Sequence, residues 1–124
     1  MKKIALCALA ALAACTAGTP GLEEGTWTGH LTPMNHPEMQ TPLTYEVAHG
    51  ASGPALAIGG PEGGATPARD VALTADTLSF VFDEPEEGVT LTCALARQSD
   101  GRYEGRCTAA DGKWARFTMI PPAR

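Results

Sequence analysis

Two tripeptides, Ser99-Asp100-Gly101 and Ala110-Asp111-Gly112, constrain this chain more than any other feature. Each has the form of a three-residue hairpin loop, a type I turn closed by a glycine in the left-handed conformation. Such a loop sets the register of the strands it joins. Closing the first on Gln98 and Arg102 puts Cys93 opposite Cys107 at a non-hydrogen-bonded pair. Cα atoms approach there to about 4.5 Å, within disulfide range. The second turn sets Ala115 opposite Cys107 and Phe117 opposite Gly105. A two-residue loop at Ala75-Asp76 sets Leu73 opposite Leu78 and Val71 opposite Phe80. Together these registers collect Val71, Leu73, Leu78, Phe80, Phe82, Leu91, Cys93, Leu95, Tyr103, Cys107, Phe117 and Met119 on one face. Thr74, Ser79, Thr90, Thr92, Glu104, Arg106 and Arg116 fall on the other. A slip of one residue would invert every side chain, so agreement across neighbouring strands is itself evidence for the register.

The rest of the chain follows the same grammar. Short alternating runs, broken by Gly, Pro and Asp, occur at about Gly25–Thr32, Thr41–His49, Pro54–Gly59, Ala68–Thr74, Thr77–Asp83, Val89–Arg97, Arg102–Thr108 and Lys113–Ile120. Alternation over such lengths reads as strands, and no helical period of any length interrupts them. The expectation is an all-β domain, a small antiparallel up-and-down β-barrel of about eight strands. A small β-sandwich or half-open barrel is the alternative, since a sheet with one apolar face must close or pack on another. With 124 residues the chain makes one domain. A formal charge of −5 argues against a nucleic-acid partner, which calls for clustered Lys and Arg.

The first residues read differently. Lys2 and Lys3 precede an apolar stretch from Ile4 to Leu12 that is too short to span a bilayer. Leu12-Ala13-Ala14-Cys15 resembles a bacterial lipobox, in which the cysteine is acylated and becomes the mature N-terminus. The resemblance implies a signal peptide over 1–14 and lipidation at Cys15. It also implies an exported protein held on the cell envelope by its lipid, with Thr16 rather than Asp after the cysteine matching outer-membrane sorting in Gram-negative cells. Residues 15–24 then form the lipidated cysteine and a flexible tether, and 25–122 the barrel. Removing 1–14 takes both Lys2 and Lys3, leaving seven basic against 14 acidic side chains. Cys7 leaves with the leader, and Cys93 and Cys107 remain as a pair in an oxidising compartment. A bridge enclosing so short a loop stabilises by about 3 kcal/mol in the chain-entropy picture.

Gly25-Thr26-Trp27 on the first strand of an eight-stranded meander resembles the calycins, the superfamily of lipocalins, fatty-acid-binding proteins and avidins. The resemblance implies that Trp27 closes one end of the barrel beneath the last strands. The domain is shorter than a typical lipocalin and lacks its C-terminal helix. Two tryptophans are too few for an avidin-like biotin site.

Chemistry-bearing clusters are sparse. Met34, His36 and Met39 combine thioether and imidazole ligands of the kind that suit copper(I). The alternative is a long proline-rich connection that packs Met34 and Met39 over the barrel mouth. The acids of Asp83-Glu84-Pro85-Glu86-Glu87 lack calcium-loop spacing and read as a solvated turn. No nucleophile motif or phosphate-cradling loop is present, so neither enzyme activity nor a cofactor is expected. Two functions remain: an accessory or interaction module for an envelope protein partner, and a carrier of a small apolar ligand. The first ranks ahead, because inward aromatic side chains can fill so small a lumen, and copper binding through the Met/His loop ranks below both. A cavity above about 300 Å³ lined by inward side chains would favour the second.

Overall fold

Leu43, Tyr45 and Val47 are buried while Thr44, Glu46 and Ala48 between them are exposed. The same alternation takes Leu78, Phe80 and Phe82 inward along a later strand. Side chains of period two on a twisted antiparallel sheet leave one apolar face, and here the sheet curls until that face is enclosed. The computed structural model describes residues Gly21–Ala123. It contains nine strands and, among the described residues, no helix. They are β1 (Gly25–Pro33), β2 (Thr41–Gly50), β3 (Gly53–Gly59), β4 (Thr66–Pro67), β5 (Arg69–Thr74), β6 (Thr77–Glu84), β7 (Val89–Arg97), β8 (Tyr103–Ala109) and β9 (Trp114–Ile120). Every pairing is antiparallel, in the spatial order β4-β3-β2-β1-β9-β8-β7-β6-β5. The signal peptide expected over 1–14 and the lipidation expected at Cys15 fall outside the described residues.

First and last strands pair over six positions, from Ala115 with Pro33 to Ile120 with Thr28. The remaining seam is closed by the stretch expected as the fourth strand. Thr66 and Pro67 pair with Ile58 and Ala57 of β3, and the Ala68 amide donates to the Leu56 carbonyl at 2.8 Å. From Arg69 onward the chain turns to β6 instead. One expected strand therefore becomes two short ones, which accounts for nine strands instead of eight. The result is a nearly closed antiparallel barrel.

The expected registers of the two Asp-Gly hairpins hold. Cys93 faces Cys107, Ala115 faces Cys107 and Phe117 faces Gly105. Gly101 and Gly112 take φ of 91° and 90°, and Asp100 and Asp111 accept the amides of Arg102 and Lys113. The third register needs correction. Leu73 does face Leu78, but the pairing shifts between Arg69 and Ala72. An extra residue sits there, with Asp70 at φ 55°, so Val71 is not opposite Phe80. Arg69, before the bulge, reaches back across the sheet. Its Nε and Nη2 donate to Asp83 at 2.6 and 3.0 Å, and the Thr90 hydroxyl donates to the same carboxylate at 2.8 Å. Three strands are tied together at the seam.

The interior is filled mainly by Trp27, Tyr45, Phe80, Tyr103 and Phe117, all fully buried. The Tyr45 hydroxyl donates to the Thr118 carbonyl at 3.0 Å, and burial pushes its phenol far above the ordinary range. Tight coiling needs room where strands approach. A side chain at Gly105 would run into the Ala94 carbonyl, and one at Gly29 into the Thr118 carbonyl. Cys93 and Cys107 form a disulfide with Cα atoms 4.0 Å apart, closer than the sequence-based expectation.

Two measurements check this account. Cys93→Ser should free one thiol at Cys107 and lower Tm by about 10 °C or more, read by calorimetry, because roughly 3 kcal/mol of loop restraint is lost. The Asp83 carboxyl is held at about 2, below its ordinary 3.8, by hydrogen bonds from Arg69 and Thr90. Its stabilising effect is thus full above pH 3.8 and lost as pH falls through about 2. A carboxyl-resolved NMR titration should place Asp83 there and show it rising in Arg69→Gln.

Candidate functional site

The two ends of the barrel differ. At the end where β1 starts and β9 finishes, the segment Gly21–Glu24 folds across the opening. Leu22 is 1% exposed and belongs to the core, although its neighbours are glycine and glutamates. The Trp27 indole donates to the Glu23 carbonyl at 2.9 Å, His49 Nε2 lies 2.6 Å from the Leu22 carbonyl, and the His49 amide donates to Glu24 at 2.7 Å. Trp27 is itself 1% exposed, with its ring centroid 5.8 Å from that of Tyr103 on β8. The Tyr103 hydroxyl is buried without a hydrogen-bond partner among the described residues, and burial raises its phenol. Residues 21–24, expected as the last part of a flexible tether, are therefore part of the domain. The reason is burial: Leu22 removes a large apolar side chain from water by plugging the end of the lumen. A broad, shallow depression of about 800 Å³ on this plug is lined by the charged Glu23, Glu24, Arg97 and Asp100 together with the apolar Leu22, Trp27 and Pro121.

The opposite end is open. A cavity of about 320 Å³ enters the lumen there, floored by Leu31, Leu43, Ile58, Phe82 and Phe117. Its walls are the β3–β4 loop, residues 60–65, and the β6–β7 turn with Glu84, Pro85 and Glu86. Phe82 and Phe117 were in the expected inward set. Leu31, Leu43 and Ile58 were not, because the loops joining β1 to β2 and β3 to β4 are too long to transmit a register. The alternation Leu43-Thr44-Tyr45-Glu46-Val47 was the signal that could have found Leu43.

The Met/His loop stands apart from this cavity. The Met34 sulfur accepts the Trp114 amide at 3.3 Å, and His36 Nδ1 lies 3.6 Å from Glu38. Met34 and Met39 are 41% and 51% exposed, and neither lines the cavity, so the expected packing over the mouth does not occur. Two turns hold the loop to the outside: the His36 amide donates to Pro33 and the Met39 amide to His36. Trp114 below it lies under the Arg106 guanidinium at 4.0 Å. Among the described residues no three His, Cys, Asp or Glu side chains cluster to hold a metal. In the acidic turn, Glu84 accepts the amides of Glu86 and Glu87, which is turn capping.

No protein-family profile and no curated protein matches this sequence. Among solved structures the chain is similar to a redesigned β-barrel, with a TM-score of 0.53 at 15% identity over 81% of this chain and 91% of that one. At that identity the likeness shows the small β-barrel fold alone.

The plug gives a direct test. Leu22→Ala should cost about 2–4 kcal/mol and lower Tm by roughly 10 °C, since the cavity it leaves is ringed by rigid aromatics. A melting curve that does not move would make Gly21–Glu24 an appendage.

Proposed function

We propose that this protein is a lipid-anchored envelope carrier that holds a small apolar molecule, or the apolar part of one, in the open mouth of its barrel. The observation that carries the reading is the apolar cavity of about 320 Å³, at the lower end of ligand-pocket sizes. Among the described residues the exposed large hydrophobics are Met34 and Met39 on one loop and Ile120 at the far end of β9, too scattered to form a docking patch. That moves the carrier ahead of the interaction module. The calycin-like Gly25-Thr26-Trp27 start agrees with the same use of a small barrel.

The lipobox reading adds an orientation. Five residues, Thr16 to Pro20, would separate an acylated Cys15 from Gly21, a reach of about 20 Å at full extension. Because Gly21 enters at the plugged end, that end would sit against the bilayer and the mouth would face away from it. The ligand would then exchange with the aqueous compartment or an envelope protein partner, not with the anchoring leaflet.

Binding of the neutral fluorophore N-phenyl-1-naphthylamine to the mature-length chain, Cys15→Ser through Arg124, tests the cavity. Leu31→Trp, which narrows the mouth, should weaken that binding at least about fivefold with Tm little changed. Equal binding to both proteins would refute the site. For the anchor, Cys15→Ser in the full chain should release the protein from the membrane fraction.

A further inference from the structure

The rim of the cavity carries a charge pattern that selects among apolar ligands. Three carboxylates, Glu62, Glu84 and Glu86, line the mouth, and no Lys or Arg does. Glu84 is committed to capping its turn. Glu62 and Glu86 are exposed and enter no ion pair among the described residues. Lys113 and Arg116 enter no ion pair among the described residues, but neither lines the cavity, and the other described cations are engaged elsewhere. Arg69 is held by Asp83 and Asp70, Arg102 by Asp100 and Glu104, and Arg106 lies over Trp114. Arg97 belongs to the plugged end. Carboxylates around a low-dielectric opening focus a negative potential into it. A fatty-acid-like ligand would bring its own carboxylate into that field.

Building on the carrier reading, we infer that the occupant is an amphiphile with a cationic head, an apolar tail in the cavity and an ammonium or guanidinium group at the Glu62 and Glu86 rim. The tail supplies burial against Leu31, Leu43, Ile58, Phe82 and Phe117, and the head supplies charge complementarity. Neither carboxylate is part of the core, so both can be neutralised without disturbing the fold.

The experiment displaces N-phenyl-1-naphthylamine from the mature-length chain with three ligands of one tail length: octylammonium, octanol and octanoate, below their aggregation limits. The expected order is ammonium tightest, alcohol next, carboxylate weakest. The ammonium should bind about threefold or more tighter than the alcohol, the scale of two exposed charge contacts. That gap should narrow as salt rises from about 0.01 M to about 0.5 M. In Glu62→Gln/Glu86→Gln the ammonium advantage over octanol should shrink by at least about half, the remainder coming from Glu84. Equal affinity for ammonium and alcohol in the parent chain, or an advantage of unchanged size in the double variant, overturns the cationic head but leaves the carrier reading standing. Failure of all three ligands to compete overturns both.

Discussion

Closure of a single antiparallel sheet is the constraint on which everything else here depends. A sheet with one apolar face is unstable in water until that face is covered, and this chain covers it with itself. The β1–β9 pairing makes one joint. The other is made by the stretch from Thr66 to Thr74, which changes partner at Ala68. A bulge at Asp70 lets that stretch bend from one sheet edge to the other, and the Arg69, Asp83 and Thr90 clamp holds the bend. Without this joint, Phe80, Phe82 and Leu78 would lie on an open sheet edge beside solvent.

A barrel with both ends filled would be a rigid platform. The chain fills one end only. Leu22, Trp27 and Tyr103 occupy the plugged end, while the floor of Leu31, Leu43, Ile58 and Phe82 is left beneath an uncovered mouth. The asymmetry follows from local sequence. Leu22 is three residues ahead of Gly25, where the first strand starts, close enough to fold back under it. At the mouth, Gly59-Gly60-Pro61-Glu62-Gly63-Gly64 offers no bulky side chain to turn inward. The charged residues that remain there are all carboxylates, so the opening is both apolar and negative.

Much of the second half was legible from residues alone. From Thr77 to Ile120 the turns are three or four residues long, and the two Asp-Gly turns carry their register into the next strand, which is why the Cys93–Cys107 bridge and much of the inward set could be read directly. The first half was not, because the connections at 34–40 and 60–65 pass no register on. Leu22 was invisible for a simpler reason: one apolar side chain among Pro, Gly and Glu has no period. The fold class survived these gaps, since alternation identifies strands without saying which ones meet.

The sequence by itself determined that the chain is all-β, where its strands begin and end to within a residue or two outside the divided stretch Thr66–Thr74, and which cysteines pair. Those properties depend on contacts between residues close in the chain, where turn chemistry and alternation act directly. Only the tertiary structure decided that the sheet closes, that Leu22 plugs one end, and that the lumen keeps an apolar mouth ringed by Glu62, Glu84 and Glu86. Each of these arises where segments distant in sequence meet. A cavity, moreover, is set by the volume that side chains from many strands leave unfilled, which no local pattern records.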